Sequence, residues 1–170
     1  MIGRQVLVAI GMTVAAIVVF FAWTGPLHPH VNILGDDPAT RLAFAAKWLL
    51  VPGFALLAGV GMMSARRFFT ADALDGTRTP QSNSLEINLR YNQNTLEQTM
   101  LVAIAWPLLA LWLPEGQLGL IPVLAVLFGF GRAAFFVGYL IAPWARAFGF
   151  ALTFYPTVAV YVWLAVRLLR

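Results

Sequence analysis

Five runs of about 19–25 predominantly apolar residues constrain this chain more than any other feature, because a helix of that length crosses a hydrocarbon core of about 30 Å. They cover roughly Gln5–Trp23, Leu42–Met63, Thr95–Leu113, Leu118–Ile141 and Ala145–Leu169. Hydrophobic residues make up 61% of the 170 and charged residues only 11%, more apolar surface than a soluble domain of this size can hide. The expected fold is therefore all-α, an integral membrane helical bundle. The segments between the runs, such as "TGPLHPHVNILGDDPATR" and "PEGQ", are rich in helix-stopping and turn-forming residues. Trp23, Trp48, Trp112 and Trp144 fall near the ends of the runs, as an interfacial belt requires.

The net charge of +4 is spread over scattered basic residues, a pattern that suits orientation in a bilayer and gives no nucleic-acid surface. Arg4 precedes the first run, Arg66, Arg67 and Arg78 follow the second, and Arg146 lies between the fourth and fifth. Asp36, Asp37 and Glu115 occupy the alternate connections. This places the N-terminus and the second and fourth connections in the cytoplasm, with Arg41, Arg167 and Arg170 outside as exceptions. The first run is too long for a signal peptide and lacks a small-residue cleavage site, so it is expected to be retained as a helix. Cysteine is absent, which excludes disulfides and thiolate metal sites within the chain and requires any thiol chemistry to use a substrate's sulfur.

The entrance to the third run carries Glu86, Arg90, Asn94 and Glu97. On a helix their offsets of 0, 4, 8 and 11 fall within an arc of about 80°. An ionised group facing lipid is costly, so this face is expected to line a cavity or a helix interface. One reading is an internal ladder, with Glu86 paired to Arg90 and Asn94 bridging to Glu97. The other is a site for a small zwitterion, with Arg90 for a carboxylate, Glu97 for an ammonium and Asn94 for an amide.

In "GRAAFFVGY", Arg132, Phe135 and Tyr139 share a second face. Arg132 needs an anion or a water path, and an ion pair with Glu97 or Glu86 would be purely structural. Tyr139 reads equally as an interface tyrosine or a ligand donor. Pro143 suits the first turn of a new helix, which would put Arg146 in that turn. A cation there opposes the helix dipole unless an anion lies between them. A thiolate fits, since a guanidinium and a helix N-terminus both lower a thiol's pKa from about 8.5. A lipid phosphate fits as well. His28 and His30 form an H-P-H pair without further ligands and read as an ordinary loop. No Ser-His-Asp arrangement, phosphate loop or zinc motif is visible.

Several of these pieces together resemble the MAPEG superfamily, the membrane-associated proteins in eicosanoid and glutathione metabolism. "SARRFF" is similar to the close of its first core helix, and "RYNQNTLE" to its R-x-x-x-N-x-x-E signature. "GRAAFFVGY", with Arg146 seven residues beyond Tyr139, resembles its tyrosine motif and catalytic arginine, and "RAFGFALTFYPT" the last helix of bacterial members. The likeness covers about Leu42 to Arg170. It implies two parts: 1–40, an additional N-terminal transmembrane helix and outer loop, and 41–170, a MAPEG-like four-helix membrane domain. It further implies a homotrimer in a bacterial inner membrane, with glutathione as co-substrate bound between subunits on the cytoplasmic side. Arg66, Arg90, Asn94, Glu97 and Tyr139 would contact glutathione, and Arg146 would stabilise its thiolate for attack on a hydrophobic small-molecule electrophile or a lipid hydroperoxide, a detoxifying reaction.

Two positions depart from the pattern. A tyrosine expected directly after the signature acid is Gln98, and one expected four residues before Tyr139 is Phe135. Three functions stay open: a glutathione transferase or peroxidase, a non-catalytic binder of lipid or fatty acid, and a bundle whose polar face serves only as a trimer contact.

Overall fold

A computed structural model describes residues 2–24, 37–69, 83–114 and 116–170. Most of those residues are helical and none is in a strand, in the order α1 (Ile2–Thr24), α2 (Pro38–Trp48), α3 (Leu50–Phe68), α4 (Asn83–Trp112), α5 (Leu120–Ile141) and α6 (Ala147–Leu168). Each of the five expected apolar runs is present. The second is a helix interrupted at Leu49 rather than a continuous one, yet it spans Pro38–Phe68 as a single membrane-length unit. The interruption sits where Pro52 removes the donor that would bond the Trp48 carbonyl. The bonds Leu49 N–H to Ala45 and Gly53 N–H to Leu49 carry the chain across it. All five helical spans are long and apolar enough to cross a bilayer, and the chain is an integral membrane protein.

Two helix ends are satisfied by side chains. The Asp37 carboxylate caps α2, accepting from the Ala39 and Thr40 amides at 3.0 and 3.1 Å. Pro38 fills the first helical position, where no donor is lost. At its far end α4 meets Arg41, whose guanidinium donates to the Ala110 and Leu113 carbonyls at 3.0 and 2.7 Å. Arg41 is thus a buried cap on a negative helix terminus, which accounts for its departure from the expected charge asymmetry.

The main core lies where α4, α5 and α6 meet, built from Trp106, Leu109, Ile121, Phe128 and Val160. A second cluster joins α1 to α6 through Ala15 and Val19 against Ala151 and Leu152. Hydrocarbon gives packed helices no hydrophobic drive, so close approach at small residues has to supply the contact. Gly131 and Gly149 do this between α5 and α6. A Cβ on Gly149 would lie 2.2 Å from the Phe135 backbone nitrogen. Gly59 does it between α3 and α4, and Asn92 Nδ2 donates to its carbonyl at 3.1 Å. These contacts bring the C-terminal end of α3, the start of α4, the end of α5 and the start of α6 to one end of the bundle.

Candidate functional site

At that end, α4 presents its expected polar face. Arg90 donates through Nε and Nη2 to Glu86 Oε1 at 2.9 and 2.8 Å, so the expected i,i+4 pair is formed on an exposed surface. The expected bridge from Asn94 to Glu97 is not formed. Gln93 Nε2 donates to Glu97 at 2.8 Å instead, because Asn94 turns inward and its oxygen accepts from Arg132 Nη1 at 2.7 Å.

Arg132 is 1% exposed, and the acid expected beside it is absent. Its guanidinium is held by Asn94, by the Thr153 hydroxyl and by the Gly149 carbonyl at 3.5 Å, with the Phe128 and Phe135 rings on its faces. Glu86 and Glu97 lie on the outward side of α4 while Arg132 points from α5 toward α6, so neither carboxylate meets it. A cation in the bundle is therefore stabilised by dipoles and π faces rather than by an ion pair.

Arg146 is the N-cap residue of α6, one position before the first turn in which it was expected. It is half-buried, with its guanidinium 4.7 Å from the Tyr139 ring centre and 5.9 Å from that of Phe135. Among the described residues it makes no ion pair, so a cation at a positive helix terminus stands without a carboxylate. Tyr139 is buried beneath it and lies within electrostatic reach of Arg90.

Two hollows meet at Arg146. One, of about 390 Å³, is polar and lined by Leu89, Arg90, Gln93, Asn94, Glu97 and Arg146. The other, of about 370 Å³, is mainly apolar and lined by Val8, Asn94, Phe135, Pro143, Trp144, Arg146, Ala147 and Phe150. Asn94 and Arg146 belong to both. Of the six site residues expected from sequence, Arg90, Asn94, Glu97 and Arg146 share the polar hollow. Tyr139 supports it from below, and Arg66, in the last turn of α3, lines neither hollow. Of the two departures, Phe135 does line the apolar hollow. Gln98 is 3% exposed and turned into the bundle, away from both.

Sequence reasoning missed a second polar line on α4. Asn88, Tyr91, Thr95 and Gln98 are buried on the side opposite the groove, and the Tyr91 hydroxyl donates to the Ala55 carbonyl at 3.2 Å. Their spacing of three and four residues was the available signal. A larger hollow, about 710 Å³ between α1 and α6, is lined by groups such as Trp23, Tyr155 and Trp163 and holds no ionisable side chain other than Tyr155. The expectations for His28, His30, Asp36, Arg78 and Glu115 lie outside the described residues.

Fold and site thus define a class, a polytopic α-helical membrane protein with a cationic groove at one end of its bundle. The chain belongs to the MAPEG family, whose pattern it matches across residues 42–166. It is also similar to mouse (Mus musculus) Transmembrane protein 79, at 25% identity over 166 residues, covering 95% of this chain. The chain spans 41% of that relative's length, and the relative's name states no activity. No solved structure matches it. Family membership supports a glutathione-related or allied function in a membrane.

Proposed function

We propose that this chain is a membrane glutathione transferase or peroxidase that activates the glutathione thiol for attack on hydrophobic electrophiles or lipid hydroperoxides. The observation that carries the reading is the junction at Arg146, where a polar groove and an apolar hollow share the same guanidinium. A charged tripeptide and an apolar acceptor would meet there.

Arg90 binds a glutathione carboxylate, Glu97 its ammonium and Asn94 an amide, with Tyr139 donating from below, and Arg66, which lines neither hollow, would contact the tripeptide from the end of α3. Glu86 occupies Arg90 in the same way a ligand carboxylate would. Arg146 and the start of α6 hold the thiolate, whose proton leaves to the inner aqueous phase. In conjugation the sulfur lone pair forms a C–S bond and the acceptor's leaving group departs with its bonding pair. With a hydroperoxide the same lone pair attacks the terminal oxygen, the O–O bond breaks and the alcohol departs with its bonding pair and a proton, and a second glutathione attacks the resulting sulfenic sulfur to form a disulfide and release water.

The functional unit is a homotrimer. Glu86, Arg90, Gln93 and Glu97 are exposed on α4, and Met100 and Ile104 continue the same line at three- and four-residue spacing. Such a line cannot face lipid without cost, and a second copy covers it. Residues 1–40 form the additional helix and loop, and 41–170 the MAPEG-like domain. The groove faces the cytoplasm of a bacterial inner membrane, on the side of Arg4, Arg66 and Arg67.

The test is the absorbance of glutathione thiolate on addition of glutathione to detergent-solubilised protein, together with conjugation of 1-chloro-2,4-dinitrobenzene. Both signals are expected, and both are lost in Arg146→Ala. Absence of both from the unsubstituted protein overturns the proposal. A second reading, a non-catalytic lipid binder, is favoured by the 710 Å³ apolar groove between α1 and α6. Co-purifying lipid with no glutathione binding in calorimetry would select it.

A further inference from the structure

The family match begins at residue 42, so α1 lies wholly outside it. Yet Val8 of α1 lines the apolar hollow beside Arg146. The placement of α1 is enforced. One turn beyond Val8, Gly11 faces α6, where a Cβ would make ordinary contact with the Phe148 Cβ at 3.5 Å, and Ala15 and Val19 are buried against Ala151 and Leu152. Leu7 and Ile10 flank Val8 and face outward, 50% and 54% exposed. The helix therefore stands between this hollow and the hydrocarbon, with one side chain turned in. That side chain is β-branched and holds a preferred rotamer in a helix, which makes a firm wall.

The rest of the hollow is aromatic. Phe135, Trp144 and Phe150 line it, and Arg146 closes its polar side. Its volume of about 370 Å³ is near the lower end of the range for small-molecule sites, about 300–1,000 Å³. Flat ring surfaces beside a guanidinium favour a planar molecule that carries electron-rich oxygens at one edge.

We propose that α1 is a wall of the acceptor pocket and Val8 a specificity-determining residue that confines it to compact planar aromatic or conjugated molecules. As an acceptor assignment this rests on the thiol chemistry proposed above. As a binding pocket it can be measured without glutathione. A long flexible chain would have to displace α1 to enter, so the inference narrows the proposed acceptors to compact electrophiles and sets lipid hydroperoxides aside, whereas a single ring with oxygen substituents matches the volume of the hollow.

The test is tryptophan quenching by 1,3-dinitrobenzene in the full chain in detergent, with the Trp144 contribution isolated by comparison with Trp144→Phe. Val8→Phe, which fills the hollow, is expected to weaken quenching of Trp144 at least about tenfold. Val8→Ala, which cannot overpack, is expected to bind the two-ring 1,5-dinitronaphthalene more tightly than the unsubstituted protein does. Ile10→Phe, on the outward face, leaves both affinities unchanged. Indifference of both quenchers to both Val8 substitutions overturns the inference, and so does an equal loss in Ile10→Phe. Calorimetry with glutathione on the same proteins separates the two readings. Normal glutathione binding with Val8-indifferent quenching removes the pocket alone. Absent glutathione binding with Val8-dependent quenching supports the pocket and removes the thiol chemistry.

Discussion

The Asn94 side-chain oxygen lies 2.7 Å from Arg132 Nη1 and joins the signature helix to the cation at the centre of α5. Asn94 also lines both hollows, so one side chain positions a buried charge and shapes a candidate site. Replacing it with leucine removes one of the few acceptors from a guanidinium that no carboxylate among the described residues neutralises. Asn94→Leu is expected to destabilise the protein by about 2–3 kcal/mol, the scale of a lost hydrogen bond to a buried charge. In Asn94→Leu with Arg132→Met the charge is gone as well, and the loss should be smaller than the sum of the single losses by about 1 kcal/mol or more. Thermal unfolding of the four proteins in one detergent measures both quantities. Strict additivity would show that the two side chains are not coupled.

Gly149 and Gly53 are both helical glycines, and their surroundings give opposite expectations. A Cβ at Gly149 would lie 2.6 Å from the Gly131 carbonyl oxygen as well as 2.2 Å from the Phe135 nitrogen, and backbone on a neighbouring helix cannot yield. Gly149→Ala should therefore force α5 and α6 apart and cost about 2–3 kcal/mol, typical of overpacking. At Gly53 a Cβ meets nothing within 4 Å. Gly53→Ala should gain about 0.5–1 kcal/mol by removing backbone freedom from the unfolded chain. Melting temperatures of the two variants check the opposite signs.

The parts of this molecule that were legible in the sequence are those a bilayer dictates one segment at a time. An apolar run of membrane length can be little other than a spanning helix, and Glu86 with Arg90 is a pair that one helix makes by itself. What was not legible depends on neighbouring helices. The partner of Asn94 is set by how α5 and α6 pack, so the ladder reading, one of two, paired it with Glu97, whereas Gln93 takes that role and Asn94 meets Arg132. The acid expected for Arg132 failed for the same reason, since Thr153 and two aromatic faces come from sequence positions with no local link to it. Gln98 stands where the family resemblance expects a tyrosine, and its helix phase turns it inward. The interruption at Leu49 was hidden because Pro52 sits inside an otherwise unbroken apolar run.

Asp37 gives a pH signature outside the membrane spans. Its carboxyl is held below the ordinary carboxylate value of 3.8, first by the Thr40 hydroxyl and then by the Thr40 and Ala39 amides. A group whose pKa is depressed by folding favours the folded state above its ordinary value, and that contribution fades as pH falls through the lower folded value. The cap on α2 should therefore persist as pH drops through the usual aspartate range and be lost only below it. The amide resonance of Thr40, followed by NMR in an acid titration, reads this directly. In Asp37→Asn the cap remains and the titration step disappears.

Arg41 accounts for an exception in the charge pattern and yields the remaining prediction. It was counted among basic residues on the outer side, where the positive-inside rule disfavours them. Its guanidinium, however, is buried against the Ala110 and Leu113 carbonyls, where the α4 terminus is negative. Its role is set by that helix end, so topology should not depend on it while stability should. Arg41→Met keeps much of the stem's packing and strips two buried carbonyls of their donor. The expected cost is about 2–3 kcal/mol, which corresponds to a fall of roughly 4–12 °C in Tm for a chain of this size. Arg41→Lys should recover only part of it, because a compact ammonium cannot reproduce the broad guanidinium fork. A single cysteine introduced at Gly3, in a chain that otherwise has none, reports the side of the membrane by its access to an impermeant thiol reagent. Access should be the same with and without Arg41→Met, and a change of side would show that Arg41 acts in orientation rather than as a cap.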